Sequence, residues 1–464
     1  MEQKNQNNQN KFLGWIKSSL TIKMIIVGIL TLILLIPLSY INDLIDERQD
    51  RQQSVVEDIN QKWGEEVLLY GPVLEIPYIT YIEVIKKNAE TKAIYTEKVA
   101  RTNYGYFFPK QLNVDAQLDP EIKAYGMYNS VVYSGLVHLN GMFSKPDIKA
   151  ISSSDPVVLW NKARVIFKTS DLKGVSNQVS IKVDSQSYSF SPKYSTDKKS
   201  KYVNQKNPVS LNSLESQFLN DSTVKNQFTF SMDISYNGSQ QFRIIPIGKE
   251  TQMTVTSSWK NPSFTGTYLP YNNDKLTENG FGAKWKILNI NRPFPQAFSD
   301  KLPNLSEYAF GVNLMIPVDQ YQQSTRSAKY GYLVISLTFL IFFLIQSISK
   351  IDIHPFQYLM IGLALVMFYT LLLSISEHSS FLIAYFIASI SVVILIGLYS
   401  KSILKGWKFP IFITISLVVL YSFIYIIIQL ESYALLVGSI GLFLILAAVM
   451  FVSRKIDWNS RQYE

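Results

Sequence analysis

The chain of 464 residues holds three histidines, and one of them stands beside an acid: SISEHSSFLIAY places Glu377 next to His378 between two apolar runs. An imidazole and a carboxylate in contact offer two chemistries, a metal ligand set and a proton relay, because imidazole changes charge near neutral pH. A solvated turn between two membrane helices accommodates the same residues. Glu431, in the sequence LES, is a second acid flanked by apolar runs, and an adjacent pair of turns would make an acidic and imidazole cluster. The other histidines carry weaker signals. His138 lies in the alternating run VVYSGLVHLNGMF, where it reads as a hydrogen-bonded or partly exposed strand residue, and His354 opens HPFQY, where Pro355 helps to start a helix. HExxH, GxSxG, Walker A and strand-to-helix GxGxxG patterns are missing, and the chain has no cysteine. No enzyme, metal or cofactor is therefore expected.

The elements that must position these residues follow from the uneven spread of apolar side chains. Apolar runs of roughly 20 residues can cross a bilayer core. Six such spans fall at 24–41, 330–348, 356–375, 381–400, 410–430 and 433–452. The first follows Lys4, Lys11, Lys17 and Lys23 and reads as an anchor, too long for a signal h-region. The N-terminus, the loop at Lys350, the loop KSILKGWK and the tail SRKIDWNSRQYE hold 11 Lys and Arg, whereas the turns at Glu377 and Glu431 hold none. Short cytoplasmic loops retain Lys and Arg, so both termini are expected in the cytoplasm, and the long segment between spans one and two outside the membrane, in the periplasm. The topology also accounts for most of the net charge of +9. No cytoplasmic segment is long enough to fold into a basic nucleic-acid-binding domain, so a nucleic-acid partner is excluded.

Residues 42–64 are polar and keep Ile45, Gln52, Val55, Val56, Ile59 and Trp63 near one helical face, which predicts a stalk continuing the first span up to Gly64. Beyond it the periodicity becomes two. VLEIPYITYIEVI, RTNYGYFFPKQLNVDAQL, VVYSGLVHLNGMF, ARVIFKTSDL, QVSIKVDSQSYSF, NQFTFSMDISY and QFRIIPI are predicted strands, each bounded by turn residues. Many strands without intervening helices imply an antiparallel sandwich or a larger multi-sheet β structure. The aromatic residues suit a β core, and no disulfide staples the domain, whose size permits a sufficient core of its own. The polar segment from about Ser144 to Gln227, with KYSTDKKSKYVNQKN at its centre, reads as exposed loops or a flap. The fold class is thus an α+β membrane protein: basic N-terminus 1–23, helix 24–41, stalk 42–64, β-rich region 65–329, five helices 330–452 and tail 453–464.

The long strings GPVLEIPY, SSWKNPSFTGTYLP, GFGAKW, FGVNLMIPVDQY, HPFQYLMIGLALVMFYTLLLSISEH, LKGW and RKIDW occur in this order along nearly the whole chain. With them the sequence resembles the CreD family of bacterial inner membrane proteins. The matching positions include Gly71, Pro72, Pro77, Trp259, Pro262, Phe264, Gly266, Pro270, Trp285, His354, Pro355, Asp457 and Trp458. Gln346 departs from the family pattern, which has an acid there. The resemblance implies an inner-membrane protein of cell envelope integrity, stress response and colicin tolerance, without assigning a biochemical activity. Expected partners are membrane lipids and a periplasmic protein or cell-wall component bound by the β domain. A transporter or membrane enzyme acting on a lipid or cell-wall precursor is the competing expectation.

Overall fold

The computed structural model describes residues 20–87, 94–152, 155–193, 211–314, 316, 320–349, 351–404, 406–430 and 433–454. It contains two compact units, one of residues 1–53 with 318–464 and one of residues 54–317.

The first unit is helical. Among the described residues, six helices are long and apolar enough to cross a membrane. The first is the N-terminal part of α1 (Leu20–Trp63), a 44-residue helix that runs on through the polar stretch, as its periodicity predicts. Then come α2 (Gln320–Lys329), α3 (Gly331–Ser349), α4 (Pro355–Ser376), α5 (Phe381–Ile403), α6 (Lys408–Gln429) and α7 (Ala434–Ser453). The β-rich stretch read from sequence ran to 329, whereas Gln320–Lys329 is helix and groups with the membrane helices. Its polar sequence QYQQSTRSAK hides a helical face, Tyr321, Ser324, Ser327 and Ala328, spaced three and four apart. In lipid, helices associate by close backbone approach rather than by hydrophobic exclusion. Gly362 of α4 shows this against α1: a Cβ there would stand 2.0 Å from Leu34 Cδ1. Gln346, where the resemblance implied an acid, is buried and accepts a hydrogen bond from the Tyr358 hydroxyl at 2.8 Å.

Among the described residues the second unit is built on 17 strands: β1 (Val67–Lys87), β2 (Ile94–Phe107), β3 (Gln111–Tyr125), β4 (Tyr128–Phe143), β5 (Val157–Val158), β6 (Arg164–Thr169), β7 (Ser180–Val183), β8 (Gln186–Lys193), β9 (Asn212–Ser216), β10 (Phe228–Ser239), β11 (Gln241–Ile244), β12 (Glu250–Ser257), β13 (Pro262–Gly266), β14 (Leu276–Thr277), β15 (Gly280–Leu288), β16 (Ala297–Ser299) and β17 (Phe310–Leu314). One sheet runs β13, β17, β11, β1, β6, β9, β8, with β2 succeeding β11 along the same edge of β1. The other runs β14, β15, β12, β3, β4, β10, β7, β8, so that β8 belongs to both. Most neighbours are antiparallel, but β1 with β11 and β3 with β12 are parallel, joined through long connections rather than hairpins.

The core is the apolar alternation of both sheets, from Val67, Leu69 and Val73 through Val114, Leu139 and Phe230 to Trp285 and Phe310. The segment 144–227, read as a whole as loops or a flap, holds strands at the places where ARVIFKTSDL and QVSIKVDSQSYSF predict them, β6, β7 and β8. Within it β6 pairs directly with β1 and buries Val165 and Phe167, because ARVIFKT alternates strongly enough to form an inner strand. Its most polar part, residues 194–210, lies outside the described residues. Gly64 ends α1 as expected, its N–H donating to Asn60 O at 2.8 Å, and a Cβ there would meet Asn237 O at 2.0 Å.

Candidate functional site

One face of the second sheet gathers polar side chains from five strands. His138 on β4 lies opposite Asp115 on β3 and opposite Asp233 on β10. The next row along the same face joins Asn113, Asn140 and Ser231. Strand β12 extends both rows, with Thr254 beside Asp115 and Gln252 beside Asn113, and β15 adds Lys284 and Lys286. Alternate residues of a strand point to opposite faces, so the intervening Val114, Ala116, Leu139, Met232, Met253 and Val255 fill the core. Burial of that face leaves the polar face no freedom of register, since a shift by one residue would turn every apolar side chain into water.

Between these rows runs a groove of about 340 Å³ lined by Gln111, Asn113, Val114, Asp115, Asn140, Gln252 and Thr254. The Asn113 amide donates to Asn140 Oδ1 at 2.9 Å, and His138 Nδ1 is hydrogen-bonded to Asp233 Oδ1 at 2.5 Å. At the groove's end, Gln252 Nε2 donates to Glu250 Oε1 at 2.9 Å and Lys286 Nζ lies 3.2 Å from the same oxygen. These hydrogen bonds, from Gln252 first and Lys286 second, hold the Glu250 carboxyl below its ordinary value. Amides offer donors and acceptors together, and the acids here stand among lysines. Such a surface is suited to recognising a polar ligand by hydrogen bonding. Among the described residues no group of three His, Asp or Glu side chains could hold a metal ion.

Of the membrane-side candidates, Glu377, His378 and His354 lie among the described residues. Glu377 is the residue that ends α4, and its Oε1 lies 3.5 Å from Arg48 Nε of α1. His378 follows it in an exposed turn, and Ser380 begins α5 by accepting a hydrogen bond from the Ile383 N–H at 3.5 Å. Glu431 lies outside the described residues, as do Asp457 and Trp458. His354 caps α4: its Nδ1 accepts from the Phe356 N–H at 3.2 Å, while Gln357 Oε1 accepts from the His354 N–H at 2.9 Å. This reciprocal arrangement satisfies two otherwise orphaned donors, and Pro355, which has no N–H to satisfy, occupies the first helical position. The His-Pro pair is a helix start.

The matching positions in the β unit are structural as well. Gly71 and Pro72 sit where the pairing of β1 with β6 shifts register between Tyr70 and Val73. A Cβ on Gly71 would meet the Phe167 ring at 2.7 Å. Pro77 O accepts from Leu159 N–H at 3.0 Å. Pro262, Phe264 and Gly266 form β13, where Gly266 has φ +96 and a Cβ would stand 2.1 Å from Ala309 O, a place only glycine fits. Phe264 meets Trp285 edge-on at 5.8 Å, and Trp285 Nε1 donates to Tyr268 O at 3.1 Å. Trp259 Nε1 donates to Asn261 O at 3.1 Å, and Pro270 is half-buried two residues beyond Tyr268.

Asn113, Asp115, Asn140, Gln252 and Thr254 were not distinguished by sequence, because each occupies the wet position of an ordinary alternating strand. The available signal is their type: short amides, hydroxyl and acid rather than the Lys and Glu of a plain solvated face. A second set also escaped notice, the buried hydroxyls of Ser324, Ser327, Thr338, Tyr369 and Tyr421 in the membrane unit, which have no hydrogen-bond partner among the described residues.

Compared with known proteins, residues 19–459 match a family model described as "Inner membrane protein CreD". The chain is also 30% identical over 447 residues, covering 96% of this chain and 94% of the relative, to the inner membrane protein CreD of Escherichia coli (strain K12).

Proposed function

Because the chain belongs to the CreD family of inner membrane proteins, we propose that it serves cell envelope integrity by binding rather than catalysis. In this reading its β unit stands in the periplasm and engages a cell-wall component or a partner protein. The observation that carries it is the polar groove across β12, β3 and β4, a prepared hydrogen-bonding surface on a rigid two-sided core. The distribution of Lys and Arg supports a periplasmic β unit and cytoplasmic termini. Envelope stress response and colicin tolerance, which the family resemblance implied, are the processes in which such binding would be read out.

The test is complementation of the envelope defect of a deletion strain by full-length variants that block the groove. Gln252→Arg and Asp115→Arg place long side chains over it from solvent-facing positions, where exposed substitutions cost within about half a kcal/mol. Loss of complementation at normal membrane abundance is expected, and full complementation by both variants removes the groove from the mechanism. The transporter or membrane-enzyme alternative draws on the buried, unpartnered hydroxyls of Tyr369, Tyr421, Ser327 and Thr338, since polar groups inside a bundle often mark a pathway.

A further inference from the structure

Three of the membrane helices leave a groove between them. About 780 Å³ lies open along α3, α6 and α7, with walls that include Leu344 of α3, Phe412 and Val419 of α6, and Leu444 and Ala448 of α7. A space of this size accommodates an organic ligand rather than a few waters. It stays open because α7 buries none of its side chains, and Val419 and Leu444 are 62% and 61% exposed. Its inner end is closed. A Cβ on Gly441 of α7 would stand 2.0 Å from Phe423 Cζ of α6, so the Phe423 ring already covers that glycine.

Depth and charge distinguish the groove from plain lipid-facing surface. On α3 the lining runs from Leu337 to Ile348 and on α7 from Gly441 to Val452, each about 17 Å of helix at about 1.5 Å per residue. The hydrocarbon core is about 30 Å thick, so the groove has the depth of one leaflet. Its mouth is at a single end of the bundle, where Ile348 and Val452 close α3 and α7 and Lys408 opens α6. Among the described residues Lys408 is the one charged side chain in the lining, no acid accompanies it, and it is exposed. The Ser416 hydroxyl is already spent on Phe412 O at 2.8 Å. Trp407 supplies no side-chain cap, so the positive end of the α6 dipole opens at the same mouth as the Lys408 ammonium.

We infer that the groove holds a membrane phospholipid, its acyl chains along α3, α6 and α7 and its phosphate on Lys408. Lysine meets phosphate as a point charge, and its apolar stem lets the ammonium reach headgroup level from the end of a span. A further helix, from a second copy or another protein, fits less well. It would need the full height of the bilayer, and helices in lipid meet through small residues such as Gly441, which Phe423 covers. The site does not depend on the reading of the amide groove in the β unit.

The experiment is native mass spectrometry of the full chain, stripped of lipid in detergent and titrated with phosphatidylglycerol or with diacylglycerol of the same acyl chains. One phosphatidylglycerol per chain is expected to bind saturably, and diacylglycerol about 10- to 100-fold more weakly, the loss corresponding to one hydrogen bond to a charged group. Lys408→Gln should bring phosphatidylglycerol down to the diacylglycerol level. Ala448→Phe, at an exposed position in the groove wall, should abolish saturable binding of both lipids by filling the space. Equal binding of the two lipids, an undiminished response in either variant, or many lipids per chain without saturation overturns the proposal. A lipid-free dimer that Ala448→Phe dissociates assigns the groove to a second copy and overturns it as well.

Discussion

Replacing Arg164 with methionine isolates the energetics of a carboxylate sealed inside the β unit. Glu75, in the matching string GPVLEIPY, is 2% exposed, and its Oε1 lies 2.7 Å from Arg164 Nε. Arg164 Nη1 also contacts Glu215, which has Lys193 as a second cation. Removing Arg164 therefore leaves Glu215 partnered and Glu75 without a counter-charge, hydrogen-bonded to the neutral Tyr106 phenol. Tyr106 provides no substitute charge, its phenol being held above the usual range by burial first and by Glu75 second. Breaking a buried pair costs about 3–5 kcal/mol, and the lower end applies because the Arg164 side chain is a fifth exposed, at 21%. Against a domain stability of about 5–15 kcal/mol, a loss of about 3 kcal/mol is large. Native-state hydrogen exchange of the full chain in detergent should show protection in β1, β6 and β9 falling by about 100-fold. The double variant Glu75→Leu/Arg164→Met should recover most of that loss, since an apolar replacement removes the desolvation cost together with the attraction. A single Arg164→Met variant within about 1 kcal/mol of wild type would show that Glu75 is satisfied otherwise and would refute the reasoning.

Three further outcomes are expected. Burial first, then Lys193, holds the Lys168 ammonium below its ordinary 10.5, so the unfolded chain binds more protons between the lowered value and 10.5 and stability should rise with pH across that window. Lys168→Met should abolish this rise in pH-dependent exchange of β6, and a slope unchanged by the substitution would disprove the assignment. Glu377→Gln loses a partly exposed pair with Arg48, worth at most about 1 kcal/mol, and under the binding function both it and His378→Ala should complement normally. Failure of either at normal abundance would favour the transporter reading. Because the chain has no native cysteine, Ser379→Cys should react with an impermeant thiol reagent from the periplasmic side and Ser402→Cys should not, whereas the reverse pattern would invert the proposed topology.

Residue order alone determined the spans, the stalk and the strand-rich middle, because each rests on local physics. A bilayer demands about 20 apolar residues per helix, and a half-buried strand demands alternation, wherever the partners lie. The same locality made Pro355 readable as a helix beginning and Gly64 as an end, whereas the capping role of His354 came with the folded helix. Tertiary structure decided what contacts over long separations decide. His138 and Asp233 meet because β4 and β10 pair in one register, and Asn113 comes beside Gln252 because β3 and β12 run parallel across a long connection. No short window contains both members of either pair. The helical fate of Gln320–Lys329 was also non-local, since its polar composition conceals a face whose burial depends on the neighbouring helices. The groove along α3, α6 and α7 is the sharpest case. Written in sequence Lys408 is a lysine at the edge of a span, and only the folded chain sets it with Ile348 and Val452 at the mouth of an apolar space. A cavity is a property of how elements pack, so it does not exist until the chain has folded.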